Sequence, residues 1–483
     1  YPDYPELIEK YNENLYSGHR PEGDLMLEHN QVFINDYKLD TCTIIEKLQE
    51  LAESGIENYT TDVDVWLLFD GYEIDCDEKK DIIRQIFSDS KVGVIYGSAG
   101  VGKSTLINHV SHYLNDAPKL YLTQTNPAKE NLIRKIDAEN TTFSTIESFK
   151  HQTTSIDYKL LVIDECSTVS NKDMVEILQK ASFEMLLLVG DTYQIDAIQF
   201  GNWFSVLRAF LPETAVFELK KPHRTKNKQL LELWDKVRCM DDTAKEVIER
   251  ESYSLKVDET LLSSLEPGEA ILCLNYDGLY GINNINRFLQ ESNPNPAITW
   301  DVQQYKVGDP ILFLDSDRFR PVIYNNMKGI IRDVKIMDVN TTNERIRFDI
   351  EIPKLISERD TFGTGLDLIE NNEEEETSLI RFYVYKLKSA DEEGDDFRTI
   401  VPFQVAYAVS IHKAQGLEFE SVKIVITDEV EELVTHNVFY TAITRARDTL
   451  KIYWTPEVEE KVINRIKPRD ISKDVEILKN YLG

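Results

Sequence analysis

Lys103 and Ser104 close a run punctuated by glycines, Gly97-Ser98-Ala99-Gly100-Val101-Gly102-Lys103-Ser104-Thr105. Those residue types in that order suit one chemistry. Glycines let the backbone curl until its N–H groups converge on phosphate oxygens. A helix N-terminus adds a favourable dipole. An ammonium can then reach the β- and γ-phosphates while a hydroxyl ligates Mg2+. The run fits the phosphate-binding pattern G-x-x-x-x-G-K-S/T. It follows an apolar, strand-like run at 92–96 and opens a helical stretch, the context that the pattern requires. Gly97, Gly100, Gly102, Lys103, Ser104 and Thr105 are therefore expected to hold ATP.

A second apolar run, Leu161-Val162-Ile163, ends in Asp164-Glu165. Mg2+ is a hard ion that takes oxygen ligands and keeps several waters. Asp164 is expected to hold it through such a water, with Ser104 as the other ligand. Glu165 is placed to accept a proton from the attacking water. A third run, Leu188-Val189-Gly190, leads through Asp191 to Gln194, in position to sense the γ-phosphate or its attacking water. Surface acids and polar turns end many strands; the phosphate loop in the same chain gives these two their meaning.

These residues need a scaffold that places strand ends side by side. Short apolar runs at 92–96, 119–122, 160–163 and 186–189 alternate with helical stretches, the pattern of a parallel sheet covered on both faces. Runs at 270–274, 404–409 and 422–426 predict a second α/β domain. Runs at 311–314, 329–334, 346–352 and 380–387, with no strong helix between them, predict a β module inserted into it. The expected division is an N-terminal accessory segment with helical patterning (1–75), a first domain (76–262), a second (263–300 and 400–470), the insert (301–399) and a tail (471–483). Residues 365–376, ending in four consecutive glutamates, read as a mobile acidic loop.

The chain has 483 residues, enough for several cores. Its net charge of −31 excludes a protein that coats nucleic acid by bulk positive charge but leaves room for a local basic groove. No apolar run reaches the ~18–20 residues of a membrane span. The five cysteines are scattered, with no CxxC pair, which argues against a zinc site and suits a reducing cytoplasm. The chain opens at Tyr1 rather than Met, which points to a trimmed product.

Taken in order, the motifs resemble those of superfamily 1 helicases of the RecD-like branch. Leu122-Thr123-Gln124-Thr125-Asn126-Pro127-Ala128 resembles the first strand-contacting motif and Phe143-Ser144-Thr145-Ile146-Glu147-Ser148-Phe149 the next. Leu219 through His223-Arg224-Thr225 resembles the motif that brings one arginine to ATP. Ser410-Ile411-His412-Lys413-Ala414-Gln415-Gly416-Leu417-Glu418-Phe419 resembles the H-K-x-Q-G motif, and Tyr440-Thr441-Ala442-Ile443-Thr444-Arg445-Ala446 the last of the family. The resemblance covers roughly residues 76 to 460. It implies two RecA-like P-loop NTPase domains closing on one ATP, with Arg224 and Arg445 facing the γ-phosphate and Glu418 at the nucleotide. It also implies single-stranded DNA held by Thr123, Thr125, Asn126, Thr145, Ser410 and His412. Phe149, Trp203 and Tyr276 are candidate stacking platforms, though core packing is the commoner role of such aromatics.

The resemblance implies a 5′→3′ DNA translocase, although the Gly416-Leu417-Glu418-Phe419 continuation also resembles the UvrD-like 3′→5′ branch, consistent with a UvrD-like C-terminal motor domain. There are departures. A Glu, Glu78 or a neighbour, stands where relatives carry an adenine-reading Gln. Glu147 and Asp196 replace the His and Pro common at their positions. Only residues 150–159 separate Phe149 from the carboxylate strand, too few for a long duplex-splitting pin. The competing expectation is a DNA-sensing regulatory ATPase that licenses a partner such as a nuclease, docked through the N-terminal segment or the acidic insert.

Overall fold

The computed structural model describes residues 4–69, 71–153, 156–197, 199–221, 225, 227–262, 265, 268–314, 318–341, 343–386, 397–466 and 470–482. In the N-terminal segment, a hairpin (Leu25–Glu28 with Gln31–Ile34) interrupts the expected helices. Its turn residues His29 and Asn30 both take positive φ, +48° and +63°, as tight hairpin connections require. The helix α1 (Asn35–Ala52) follows and buries Ile44, Ile45 and Leu48 on the first sheet. After it comes α2 (Asp77–Gln85), which packs Ile82 and Ile83 on the opposite face.

The first sheet is wholly parallel. Its strands are β1 (Val92–Gly97), β2 (Lys119–Thr123), β3 (Thr141–Thr145), β4 (Asp157–Ile163), β5 (Ser182–Gly190) and β6 (Val216–Leu219), in spatial order β3-β2-β4-β5-β1-β6. The four expected apolar runs lie in β1, β2, β4 and β5 and are buried on both faces, as strands covered by helices on two sides must be, whereas β3 and β6, which no run announced, are only partly buried. The connecting helices include α3 (Lys103–Tyr113) after β1 and α4 (Asn126–Lys135) after β2. Ligands of open parallel sheets bind beyond the carboxyl ends of the strands. The chemistry-bearing residues leave those ends: the phosphate loop after β1, Asp164 after β4 and Asp191 after β5.

The chain enters the second domain earlier than the expected boundary at 262/263. Helix α5 (Lys228–Cys239) already buries Leu230, Leu233 and Trp234 in the second core, and β7 (Ser254–Leu255) is the edge of the second sheet. Next comes β8 (Glu269–Cys273), then the insert. The insert is an antiparallel sheet of β9 (Pro310–Phe313), β10 (Lys328–Met337), β11 (Arg345–Ile352), β12 (Asp367–Asn372), β13 (Thr377–Tyr385) and β14 (Phe403–Val405), in order β12-β13-β11-β10-β9-β14. The supposed acidic loop is therefore largely a strand. β12 pairs with β13, Leu368 packs on the module's core, and the four glutamates form the turn.

The run at 404–409 is two strands rather than one. β14 pairs with β9 of the insert, while β15 (Ala408–Ser410) pairs in parallel with β8. The chain leaves the insert between them, at Ala406 and Tyr407. β16 (Phe419–Val425) and β17 (Ala446–Tyr453) complete the second sheet, in order β15-β8-β16-β17-β7. Between them lies α6 (His436–Ile443), buried along almost its whole length.

The expected tail is a helix, α7 (Ser472–Leu482). It returns to the first domain and buries Ile477 and Leu478, the latter in the same core as α1. No helix among the described residues is long and apolar enough to cross a membrane. Truncating Leu478 to Ala should cost about 2–5 kcal/mol, and by calorimetry lower the Tm by roughly 4–10 °C. An unchanged Tm would mean that α7 does not hold the first domain.

Candidate active site

The phosphate loop adopts its shape because two glycines take left-handed backbone conformations, Gly100 at φ +80° and Gly102 at φ +84°. Gly102 is also the residue before α3, so the free N–H groups of that helix's first turn open toward the loop. The Lys103 ammonium donates to the carbonyls of Gly97 (2.7 Å) and Ser98 (3.0 Å), which hold it over the loop. Ser104 lines the same cavity, whereas Thr105 is exposed one position further along α3.

Asp164 and Glu165 line the same cavity. The Glu165 N–H donates to Asp164 Oδ1 at 2.9 Å, and Glu165 itself takes φ +56°. Burial pushes both carboxyls upward. Glu165 reaches about 7, because burial and then the charge of Asp164 outweigh the opposing pull of Arg445, Lys103 and Lys135. Asp164 rises too, from burial, against the Glu165 amide and the same two lysines. Gln194 donates to Asp191 Oδ2 at 3.3 Å and faces the same space. A hydroxyl and a carboxylate on one cavity wall form a hard oxygen set, so Ser104 and Asp164 fit a Mg2+ that keeps most of its waters.

The second domain supplies the rest. The Arg445 side chain is 3% exposed. Its Nε donates to Thr441 O (3.0 Å), Nη1 to Leu417 O (3.2 Å) and Nη2 to Thr444 Oγ1 (3.4 Å), and it lines the cavity opposite Lys103. Glu418 lines it as well and is ion-paired to Arg447 at 2.8 Å. Gly416, at φ +75°, comes so close that a Cβ there would lie 3.5 Å from Glu165 Oε1. Two further bonds join the lobes. The Ala99 N–H of the phosphate loop donates to the Tyr440 hydroxyl (3.2 Å), and the Ile195 N–H donates to Thr441 Oγ1 (3.0 Å).

The structure thus gathers Lys103, Ser104, Asp164, Glu165, Gln194, Glu418 and Arg445 around one cavity. Arg224 lies outside the described residues. Glu78, at the start of α2, accepts from the Lys220 N–H at 3.1 Å. The cavity also includes Asn131 and Lys135 of α4, which no motif marked. Their signal was helical spacing: Ala128, Asn131, Leu132 and Lys135 follow i, i+3, i+4, i+7 and so share one face.

The expected strand contacts divide. Thr123 is 1% exposed and donates to Thr125 O, and the buried Ser410 hydroxyl accepts from the Lys413 N–H, so neither side chain is offered to a strand. Thr125 and Thr145, at the ends of neighbouring strands, cap the helices that follow by accepting from Ala128 N–H and Ser148 N–H. Asn126 is half-buried and His412 exposed. Of the three aromatics, Phe149 and Trp203 are core residues, because their rings lie inside the first domain. Tyr276 is 42% exposed, with the Lys413 ammonium 5.8 Å from its ring centre. Glu147 is paired with His151 at 3.0 Å.

Known proteins share these features. A family profile described as an AAA domain matches residues 76–253, and one described as a UvrD-like helicase C-terminal domain matches 405–453. The ATP-dependent DNA helicase Pif1 of Campylobacter jejuni is 22% identical over 78% of this chain and 86% of its own length. The RecBCD enzyme subunit RecD of Mycolicibacterium smegmatis is 23% identical over 62% of this chain and 51% of its own. An uncharacterized protein of Methanocaldococcus jannaschii is 23% identical over 96% of this chain, which spans 43% of that longer protein. The crystal structure of a Bacteroides Pif1 helicase in complex with ADP-AlF3 and ssDNA matches with a TM-score of 0.52 at 16% identity, over 85% of this chain and 99% of that one.

The fold and its cavity define a P-loop NTPase with two RecA-like domains. The two profiles match in the order expected along the sequence, and the chain is similar to helicases of the Pif1 and RecD kind.

Two substitutions test the residue assignments. Glu165→Gln should keep ATP binding and lower turnover by about 10²–10⁴-fold, the worth of a positioned general base. Lys103→Ala should weaken ATP binding itself. Near-normal ATP hydrolysis by the Gln variant in a phosphate-release assay would remove Glu165 from the mechanism.

Proposed function

We propose that this protein is an ATP-driven DNA translocase and helicase that moves 5′→3′ along single-stranded DNA. One observation carries the reading: groups from both RecA-like domains line a single cavity, Lys103 and Glu165 from the first and Arg445 and Glu418 from the second. The name of the Pif1 relative, an ATP-dependent DNA helicase, supplies the class of polymer, DNA.

In this reading Lys103 binds the β- and γ-phosphates, and the curled loop from Gly97 to Thr105 cradles them. Ser104 and Asp164 hold Mg2+, which neutralises phosphate charge when bound. Glu165 takes the proton of the attacking water, which Gln194 orients. Arg445, with Arg224, balances the charge that grows on the γ-phosphate. Arg445 belongs to the second domain and Lys103 to the first, so bound ATP draws the domains together and hydrolysis releases them. A strand held at Asn126 on one domain and at His412, Lys413 and Tyr276 on the other is gripped at two points whose separation changes in each cycle. At a net charge of −31 the strand must be held by such local groups. Five unpaired cysteines suit work in the cytoplasm.

The 5′→3′ direction rests on the T-A-I-T-R-A form of the last motif. Helix Ile146–Lys150 ends six residues before β4 begins, which leaves little chain for a duplex-splitting pin. Weak unwinding without help follows.

Displacement of streptavidin from biotinylated oligonucleotides tests the reading. ATP should clear the block from a 3′ biotin and leave a 5′ biotin in place. ATP consumption with both blocks intact would contradict movement and favour the regulatory ATPase.

A further inference from the structure

Helix α4 begins at the first strand-contacting motif and ends at the ATP cavity, which the exposed Lys135 helps to line. Its ten residues span about 15 Å. Two of its sides are occupied. One face, Ala128, Asn131, Leu132 and Lys135, lines the cavity. A second side holds the inserted module: Lys354 pairs with Glu130 at 3.5 Å, and Arg134 donates to the Pro353 carbonyl at 2.5 Å. Asn131 also crosses to the second domain, donating to the Gly416 carbonyl at 2.5 Å. This is the same glycine that lies against Glu165. The helix is therefore fixed to both of its neighbours, and the place of its last residue is determined.

That last residue, Lys135, shares the cavity with Lys103, Asp164 and Arg445. Asp164 and Glu165 both feel its charge. It has no ion pair or hydrogen bond among the described residues, although Glu130 and Glu139 are near in sequence. Its neighbour Arg134, by contrast, is held on the insert. An ammonium on a four-carbon stem can reach a ligand that enters the cavity.

Resting on the reading of this cavity as an ATP site, we propose that Lys135 is a further γ-phosphate-binding cation, delivered to the nucleotide by the helix whose other end contacts the strand. Lys103 approaches from the phosphate loop and Arg445 from the second domain. Lys135 approaches from a third element, so the nucleotide is read from the strand-binding side as well. Its target is the terminal phosphate, because it lines the cavity together with Asp164, Glu165 and Gln194, the groups assigned to the hydrolysed bond.

The test compares the affinities of fluorescent mant-ATP and mant-ADP, each with Mg2+, for the unmodified chain, Lys135→Gln and Lys135→Arg. The Gln variant should bind mant-ATP about tenfold more weakly and mant-ADP within twofold of normal, and the Arg variant should keep most of the affinity for mant-ATP. Unchanged binding of both nucleotides by the Gln variant, or equal weakening of both, would overturn the proposal. Binding of an oligo-dT strand without nucleotide should stay within twofold, and a larger loss would make Lys135 a strand contact instead. Failure of the translocase reading is separate: it would appear as intact nucleotide binding with no streptavidin displacement by the unmodified chain.

Discussion

The meeting of Gly416 with Glu165 is the contact on which the rest of the structure depends. Backbone of the second domain passes the carboxylate of the first there at van der Waals range, with a Cβ position 3.5 Å from the Glu165 oxygen. The φ of +75° at Gly416 is one that favours glycine. The two domains thus meet at the carboxylate that follows β4. The carboxyl's environment depends on it too, since Arg445 from the second domain pulls against the burial that pushes Glu165 up to about 7.

The two parallel sheets explain how such a contact can be both firm and reversible. Each sheet has its own core, and the cleft between them is lined by groups that follow the strands of the first sheet and by Glu418 and Arg445, which immediately precede β16 and β17 of the second. Between them the cleft is bridged by a few polar bonds, Ala99 to Tyr440, Ile195 to Thr441 and Asn131 to Gly416. These are of a kind worth roughly 0.5–1.5 kcal/mol each. A ligand that bridges the cleft with charged groups competes on that scale and shifts the balance between open and closed forms. The inserted module adds a third body to the arrangement through α4, so the helix nearest the first strand motif senses all three.

Much of this was readable in the residues because the chemistry is local. A phosphate loop requires its strand before and helix after, and β1 and α3 are there. The carboxylate pair requires a buried strand, and β4 is there. What eluded the sequence is non-local. The run at 404–409 looks like one buried strand because both halves are apolar; only the partners show that β14 joins the insert and β15 the second sheet. The acidic stretch before β13 looked like loop because charge dominates its composition, yet pairing with β13 makes residues 367–372 a strand. Thr123 and Ser410 carry the right chemistry for a phosphate and face inward, a matter of which way the strand end turns. Lys135 was hidden for the opposite reason: it lies at the far end of a helix, outside any motif.

The central claim is that one nucleotide is held from both sides, by Lys103 and by Arg445. A crystal structure of the protein with Mg2+, ADP and an aluminium fluoride mimic of the transferred phosphate tests it most directly. The account predicts the Lys103 ammonium and the Arg445 guanidinium both within roughly 3.2 Å of the fluoride group. Arg445 still bound to Thr441, Leu417 and Thr444, out of reach of a filled site, would contradict it.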